Sequence, residues 1–75
     1  MECIMQIVTI RDEFIKLGQA MKLAGLVDSG VEAKDVITAG EVFVNGETDT
    51  RRGRKLYNGD VVTWKGKQFE ISAKQ

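Results

Sequence analysis

Apolar and polar residues alternate toward both ends of the chain, and between them the spacing lengthens to that of a helix. Residues 4–10, Ile-Met-Gln-Ile-Val-Thr-Ile, are β-branched and partly alternating, which predicts a strand. Arg11-Asp12-Glu13 is a polar break. From Phe14 the period changes: Phe14, Leu17, Met21 and Ala24, with Ala20 beside them, fall on one helical face. The helix proper is expected to begin near Leu17 or Gly18 and to end about Gly25, a glycine suited to a C-terminal cap. Lys16 and Lys22 project from its polar side, with Gln19 between them.

The next helix has a stronger start signal. Ser29-Gly30-Val31-Glu32 reads as a capping box, in which serine and glutamate reciprocally satisfy free amides at the helix start. Ala33, Val36 and Ile37 supply the apolar stripe and Gly40 the stop, so the helix covers about residues 30–39. Neither helix would be stable alone, and stripes this narrow are buried only if the two pack across each other.

Beyond Gly40 the period returns to two. Val42-Phe43-Val44 reads as a strand, and Asn45-Gly46 supplies the positive φ angles of a two-residue hairpin turn. Glu47 to Thr50 is a short return strand, and Leu56 to Asp60 a hydrophobic anchor followed by a turn. Val61-Val62-Thr63-Trp64 is a strand, Lys65-Gly66-Lys67 a turn, and Gln68-Phe69-Glu70-Ile71 the closing strand. This order gives an α+β domain, two short packed helices against a small, mostly antiparallel sheet. At 75 residues it is read as one domain spanning residues 1–75.

Composition narrows the function more than the fold. The hydrophobic fraction of 43% and charged fraction of 29% are those of an ordered globular chain. With one cysteine, Cys3, and no histidine, there is no internal disulfide and almost nothing to hold a structural zinc. Cys3 reads as inert, because nothing nearby activates a thiolate. No apolar run reaches membrane-spanning length and no signal-peptide pattern opens the chain, so cytoplasm is expected. No nucleophile-and-base arrangement and no nucleotide-cradling glycine motif is present, so the chain reads as non-catalytic, with no cofactor.

Formal net charge is +0, yet residues 51–55 carry four of the 11 cations, leaving the rest of the chain net acidic. Local field rather than net charge steers a polyanion. Arg51, Arg52, Arg54 and Lys55 are too dense for a small core to absorb and are expected to face water or an anionic partner. Guanidinium groups bind phosphate bidentately and stay charged. The plainer reading is a solvated loop paired with Glu47, Asp49 and Asp60. Lys16, Lys22 and Lys34 gain interest only if they share a face with this cluster. Tyr57, Trp64 and Phe69 lie on strands and read as core rather than as base-stacking platforms.

The spaced run Ala24-Gly25-Leu26, Ser29, Glu32-Ala33, Ile37, Gly40, Val42, Val44-Asn45-Gly46 and then Gly59-Asp60 and Val62 resembles the S-four domain. That module, named after small-subunit ribosomal protein four, binds RNA through a two-helix-plus-hairpin αL motif. The similarity covers roughly residues 17–64, and the Arg-Arg-Gly-Arg-Lys-Leu run also resembles small stand-alone members. The resemblance implies binding of structured RNA, ribosomal or transfer RNA, by the helix pair and hairpin; a monomer is expected, with the ribosome as a candidate partner. By position the resemblance carries RNA contact onto Lys16, Ser29 and Lys34; Gln19 and Lys22 on the polar side of the first helix, with Arg51, Arg52, Arg54 and Lys55, complete the candidate RNA-binding residues. Gly18 and Gly30 depart from the family, which usually has an aspartate and an arginine there. A protein-interaction adaptor and a subunit presenting RNA to a separate modifying enzyme are the competing functions. A sulfur-carrier or ubiquitin-like role lacks the terminal Gly-Gly it would need.

Overall fold

The computed structural model describes residues 6–73; Cys3 and the first two residues of the expected 4–10 strand lie outside them. The chain runs through strand β1 (Gln6–Ile10), strand β2 (Phe14–Lys16), helix α1 (Leu17–Leu23) and helix α2 (Gly30–Thr38). Strands β3 (Val42–Val44), β4 (Glu47–Thr48), β5 (Lys55–Tyr57), β6 (Val61–Trp64) and β7 (Lys67–Ala73) follow. Five strands form one sheet in the order β1-β7-β6-β3-β4, and β2 with β5 makes a separate two-stranded ribbon. Every pairing is antiparallel except β1 with β7, so the α+β architecture is the expected one.

The period-2 alternation sorts the sheet's faces. Val8 stands opposite Ile71, Val62 opposite Phe69 and Val44, and Val42 opposite Trp64, and all are buried on the face that meets the helices. Leu17, Ala20 and Met21 of α1 and Ala33 and Ile37 of α2 close this core from the other side. Trp64 keeps its indole N–H satisfied by donating to Glu41 Oε1 at 3.2 Å, as a nearly buried Trp requires.

Both helices end in the same way. Gly25 (φ 78°) and Gly40 (φ 80°) take the left-handed conformation just past the last turn. Gly25 N–H donates to the Lys22 carbonyl and Leu26 N–H to Met21, and Gly40 and Glu41 repeat the pattern onto Ile37 and Val36. These paired bonds satisfy carbonyls that the helices themselves leave open. At the start of α2, Ser29 Oγ accepts the Glu32 N–H at 3.2 Å, as expected of the cap. The Glu32 carboxylate, however, accepts from Asp28 N–H at 3.0 Å rather than from the Ser29 N–H. The hairpin turn is as read: Asn45 has φ 53° and Gly46 φ 86°.

Three expectations change. Phe14 belongs to a strand and not to the helical face, because residues 14–16 pair with residues 55–57. Leu56 and Tyr57 are correspondingly strand, not merely an anchor before a turn. In that ribbon Leu56 is fully buried while Tyr57 is 47% exposed, so Tyr57 is not a core residue, unlike Trp64 and Phe69.

Candidate nucleic-acid interface

The basic segment is organised by one carboxylate. Asp49 follows β4 and extends its pairing, donating its N–H to the Val42 carbonyl at 3.1 Å. Its side chain turns inward, where the residue is 5% exposed, and accepts from the Arg51 N–H at 2.9 Å. Arg54 Nη1 reaches it at 2.7 Å, and Arg51 Nε and Nη2 each at 3.3 Å. Burial alone would raise this carboxyl's pKa, but the hydrogen bonds from Arg51 and Arg54 outweigh it and hold the pKa down at about 2. Its charge in turn raises the Arg51 pKa, chiefly through their hydrogen bond. The four cations are therefore not equivalent. Two of them hold the loop together through Asp49, as the plainer reading of a paired loop has it; Arg51 does so while facing water, and Arg54 is the one that is partly enclosed. Of the three carboxylates considered as partners, Asp49 alone takes this role among the described residues. Asp60 instead accepts from the Tyr57 N–H and the Asn45 side chain.

The same loop caps α1. A helix leaves its first amides without intrahelical partners, and Lys16, the residue before α1, offers no side-chain cap. The loop's backbone carbonyls substitute for one: Leu17 N–H donates to Arg54 O at 2.8 Å and Gly18 N–H to Arg52 O at 3.0 Å. Arg54 N–H closes a turn onto the Arg51 carbonyl at 3.2 Å, with Arg52 and Gly53 at its tip. Gly18 lies against the loop without being required by it, since a Cβ there would make only ordinary contacts, 3.6 Å from Arg52 O, 3.7 Å from Arg52 Cβ and 3.9 Å from Ala33 Cβ.

Docking the loop on α1 creates a cleft of about 290 Å³ lined by Lys16, Gly18, Gln19, Lys22, Gly30, Arg52 and Gly53. It contains three cations, one amide and three glycines, and no carboxylate. Arg52 and Lys22 form no ion pair among the described residues. Gly30 has no atom within 4 Å of where its Cβ would be, so the cleft is open at that side. Gly18 and Gly30 thus both line the cleft.

The sequence-derived candidates divide into four groups. Lys16, Gln19, Lys22 and Arg52 come together in the cleft. Arg51, whose side chain is 73% exposed although paired, and the more enclosed Arg54 belong to the Asp49 cluster beside it. Lys55 stands over the Phe14 ring, with its ammonium 4.8 Å from the ring centroid. Ser29 spends its hydroxyl on the α2 cap, and Lys34 lies exposed on α2 without lining the cleft. Sequence reasoning missed that Asp49 is the organiser. The available signal was a carboxylate two residues before an arginine, a spacing that permits a side-chain-to-backbone turn. Among the described residues no three Cys, Asp or Glu side chains are grouped as they would be around a metal ion. No helix among them is long and apolar enough to cross a membrane.

The S4-domain family model matches residues 8–72, nearly all of the segment just described. The chain belongs to the S4-domain family. Within it, a protein of Bacillus subtilis (strain 168) described as a probable ribosome maturation protein, RlbA, is 52% identical over 59 residues. That alignment covers 79% of this chain and 83% of the relative. A putative RNA-binding protein of Escherichia coli (strain K12), YbcJ, is 34% identical over 59 residues, covering 79% of this chain and 84% of its own. The match to the S4 domain extends past the 17–64 core seen in the sequence because β1 and β7 are part of the same sheet.

Proposed function

We propose that the protein is a non-catalytic binder of structured RNA that seats backbone phosphates in the cleft formed by Lys16, Lys22 and Arg52. The carrying observation is the lining itself: three cations among three glycines, with no carboxylate in the lining to neutralise them. Cations flanking accessible backbone suit a phosphate group, which approaches closely only where side chains are small. The ionised Asp49 is tied to Arg51 and Arg54, so it does not compete for Arg52. Exposed Arg51, Lys55 and Lys34 extend the positive field around the cleft for further phosphates. Membership of the S4-domain family supports RNA as the polyanion, and the name carried by the Bacillus subtilis relative favours ribosomal RNA over transfer RNA. Contacts of this kind read the shape of a fold more than its sequence. The protein acts in this reading as a cytoplasmic monomer without cofactor.

The test is the affinity of a double variant, Lys22→Ala with Arg52→Ala, for a folded ribosomal RNA fragment in low salt. Neither side chain has a hydrogen-bond or ion-pair partner among the described residues, so folding should be unaffected. The expected loss is on the order of tenfold or more per residue, the scale of a charge-assisted contact. Undiminished affinity, with both proteins folded by circular dichroism, would reject the site.

A further inference from the structure

We infer that a second groove, on the far side of Gln19 and Lys22 from the phosphate cleft, receives one unpaired nucleobase of the bound RNA. This deepens the phosphate-cleft reading and rests on it. The groove encloses about 440 Å³ between the end of β1, strand β2 and helix α1. That is within the roughly 300–1,000 Å³ typical of small-molecule sites. Phe14 and Leu23 give it apolar surface, and Arg11, Asp12, Gln19 and Lys22 its polar groups. Leu23 is 62% exposed on a helix whose other large apolar residues, Leu17 and Met21, are fully buried, so it lies open among the described residues.

Three observations select a base as the occupant. First, Gln19 and Lys22 line both the cleft and the groove, so a nucleotide whose phosphate sits in one has its base beside the other. Second, the groove differs chemically from the cleft. It has an aromatic ring, and it holds Asp12, which repels phosphate but accepts a hydrogen bond from an exocyclic amine of adenine, cytosine or guanine. Third, the ring belongs to an aromatic and cationic cluster, with Lys55 over one face. Lys55 Nζ is 4.8 Å from the Phe14 centroid, and the Tyr57 ring lies 5.9 Å away at 50°. Exposed Tyr57 widens the aromatic surface beyond the groove. A continuous A-form stem keeps its bases stacked inside the helix, whereas a bulge or loop can splay one out onto an aromatic side chain. The RNA is therefore one with an unpaired nucleotide next to a stem.

The experiment compares two RNA hairpins, one with an uninterrupted stem and one carrying a single unpaired fluorescent adenine analogue, bound by the full chain in the same low salt. Wild type is expected to prefer the bulged hairpin by on the order of tenfold, the scale of one stacked base, and to change the analogue's fluorescence. Leu23→Ser, at an exposed position, and Phe14→Leu, which keeps the apolar volume but removes the ring, should abolish most of that preference. Both should leave affinity for the uninterrupted stem within about threefold, since neither residue contributes to the charge on which phosphate binding depends. Equal wild-type affinity for the two hairpins, or a preference that survives in both variants, overturns the base groove. If that happens while Lys22→Ala with Arg52→Ala still weakens both hairpins, the phosphate cleft stands alone. If that double variant binds both as wild type does, both readings fall.

Discussion

Asp49 shows how one side chain can decide what a charge cluster does. The sequence offered Glu47, Asp49 and Asp60 as partners for the basic run, and no spacing rule separates them, because the choice depends on which carboxylate the β3–β4 hairpin turns inward. Glu47 is exposed on β4, and Asp60 is occupied by the turn before β6. Asp49 is the inward one, and its ionised form is stabilised only in the folded protein. A carboxyl whose pKa falls from 3.8 to about 2 on folding adds stability that is fully present above about pH 4 and is lost as pH drops through about 2. The linkage is worth about 2 kcal/mol at neutral pH, from about 1.4 kcal/mol per pKa unit. Urea unfolding of wild type between pH 6 and 2, about the window set by the two pKa values, should show this decline. Asp49→Asn should be less stable at neutral pH and lose that share of the acid dependence; an unchanged profile would remove Asp49 from its organising role. Gly18 makes the complementary point. A methyl group there meets only ordinary contacts of 3.6–3.9 Å, so Gly18→Ala should fold normally and gain up to about 1 kcal/mol from a stiffer unfolded chain. A loss of stability on denaturant titration would show that the loop sits closer to α1 than these distances allow.

At the scale of elements, what could be read from the sequence was whatever is encoded by neighbours. The Ser29 cap, the glycine stops at Gly25 and Gly40 and the Asn45-Gly46 turn each rely on residues a few positions apart, and all four are present. The β2–β5 ribbon was not legible. Its strands have three residues each and lie some forty positions apart in the chain, and Phe14 also fits the helical spacing of Leu17 and Met21. Only the pairing decides between those readings. The loop's backbone caps on α1 were invisible for a related reason: carbonyl acceptors carry no side-chain signature. This division predicts how each element responds to change. Ser29→Ala removes the one hydroxyl capping α2 and should cost about 0.5–2 kcal/mol in thermal or urea unfolding. Gly46→Val forces a β-branched residue into a positive φ that it adopts only under strain, and should destabilise the hairpin by at least about 1 kcal/mol. Neither residue lines the cleft, so at temperatures where both variants are folded their affinity for RNA should match wild type.

For the molecule as a whole, zero net charge means that binding to a polyanion depends on how charge is segregated, and that makes salt the decisive variable. The segment from Asp49 to Lys55 carries four cations against one carboxylate, and the cleft adds Lys16 and Lys22 to Arg52 with no carboxylate. Beyond the roughly 8–10 Å over which charge is felt at physiological salt, the acidic remainder cancels this field. Association should therefore be steered only at short range. If the three cleft cations each neutralise one phosphate, log affinity should fall against log salt with a slope of about −2 to −3, taking about 0.7–0.9 per phosphate. Arg51 and Lys55 would steepen the slope if they also engage. The ion pairing predicts an ordering that composition alone does not. Arg52→Ala should make the slope shallower by about one unit while leaving stability within about 0.5 kcal/mol, because its side chain forms no ion pair among the described residues. Arg54→Ala should lower stability, because it removes the shortest hydrogen bond to nearly buried Asp49, and should change the slope less. Equal slopes for wild type and Arg52→Ala, combined with a shallower slope for Arg54→Ala, would reverse the assignment and make the Asp49 cluster the RNA contact rather than its scaffold.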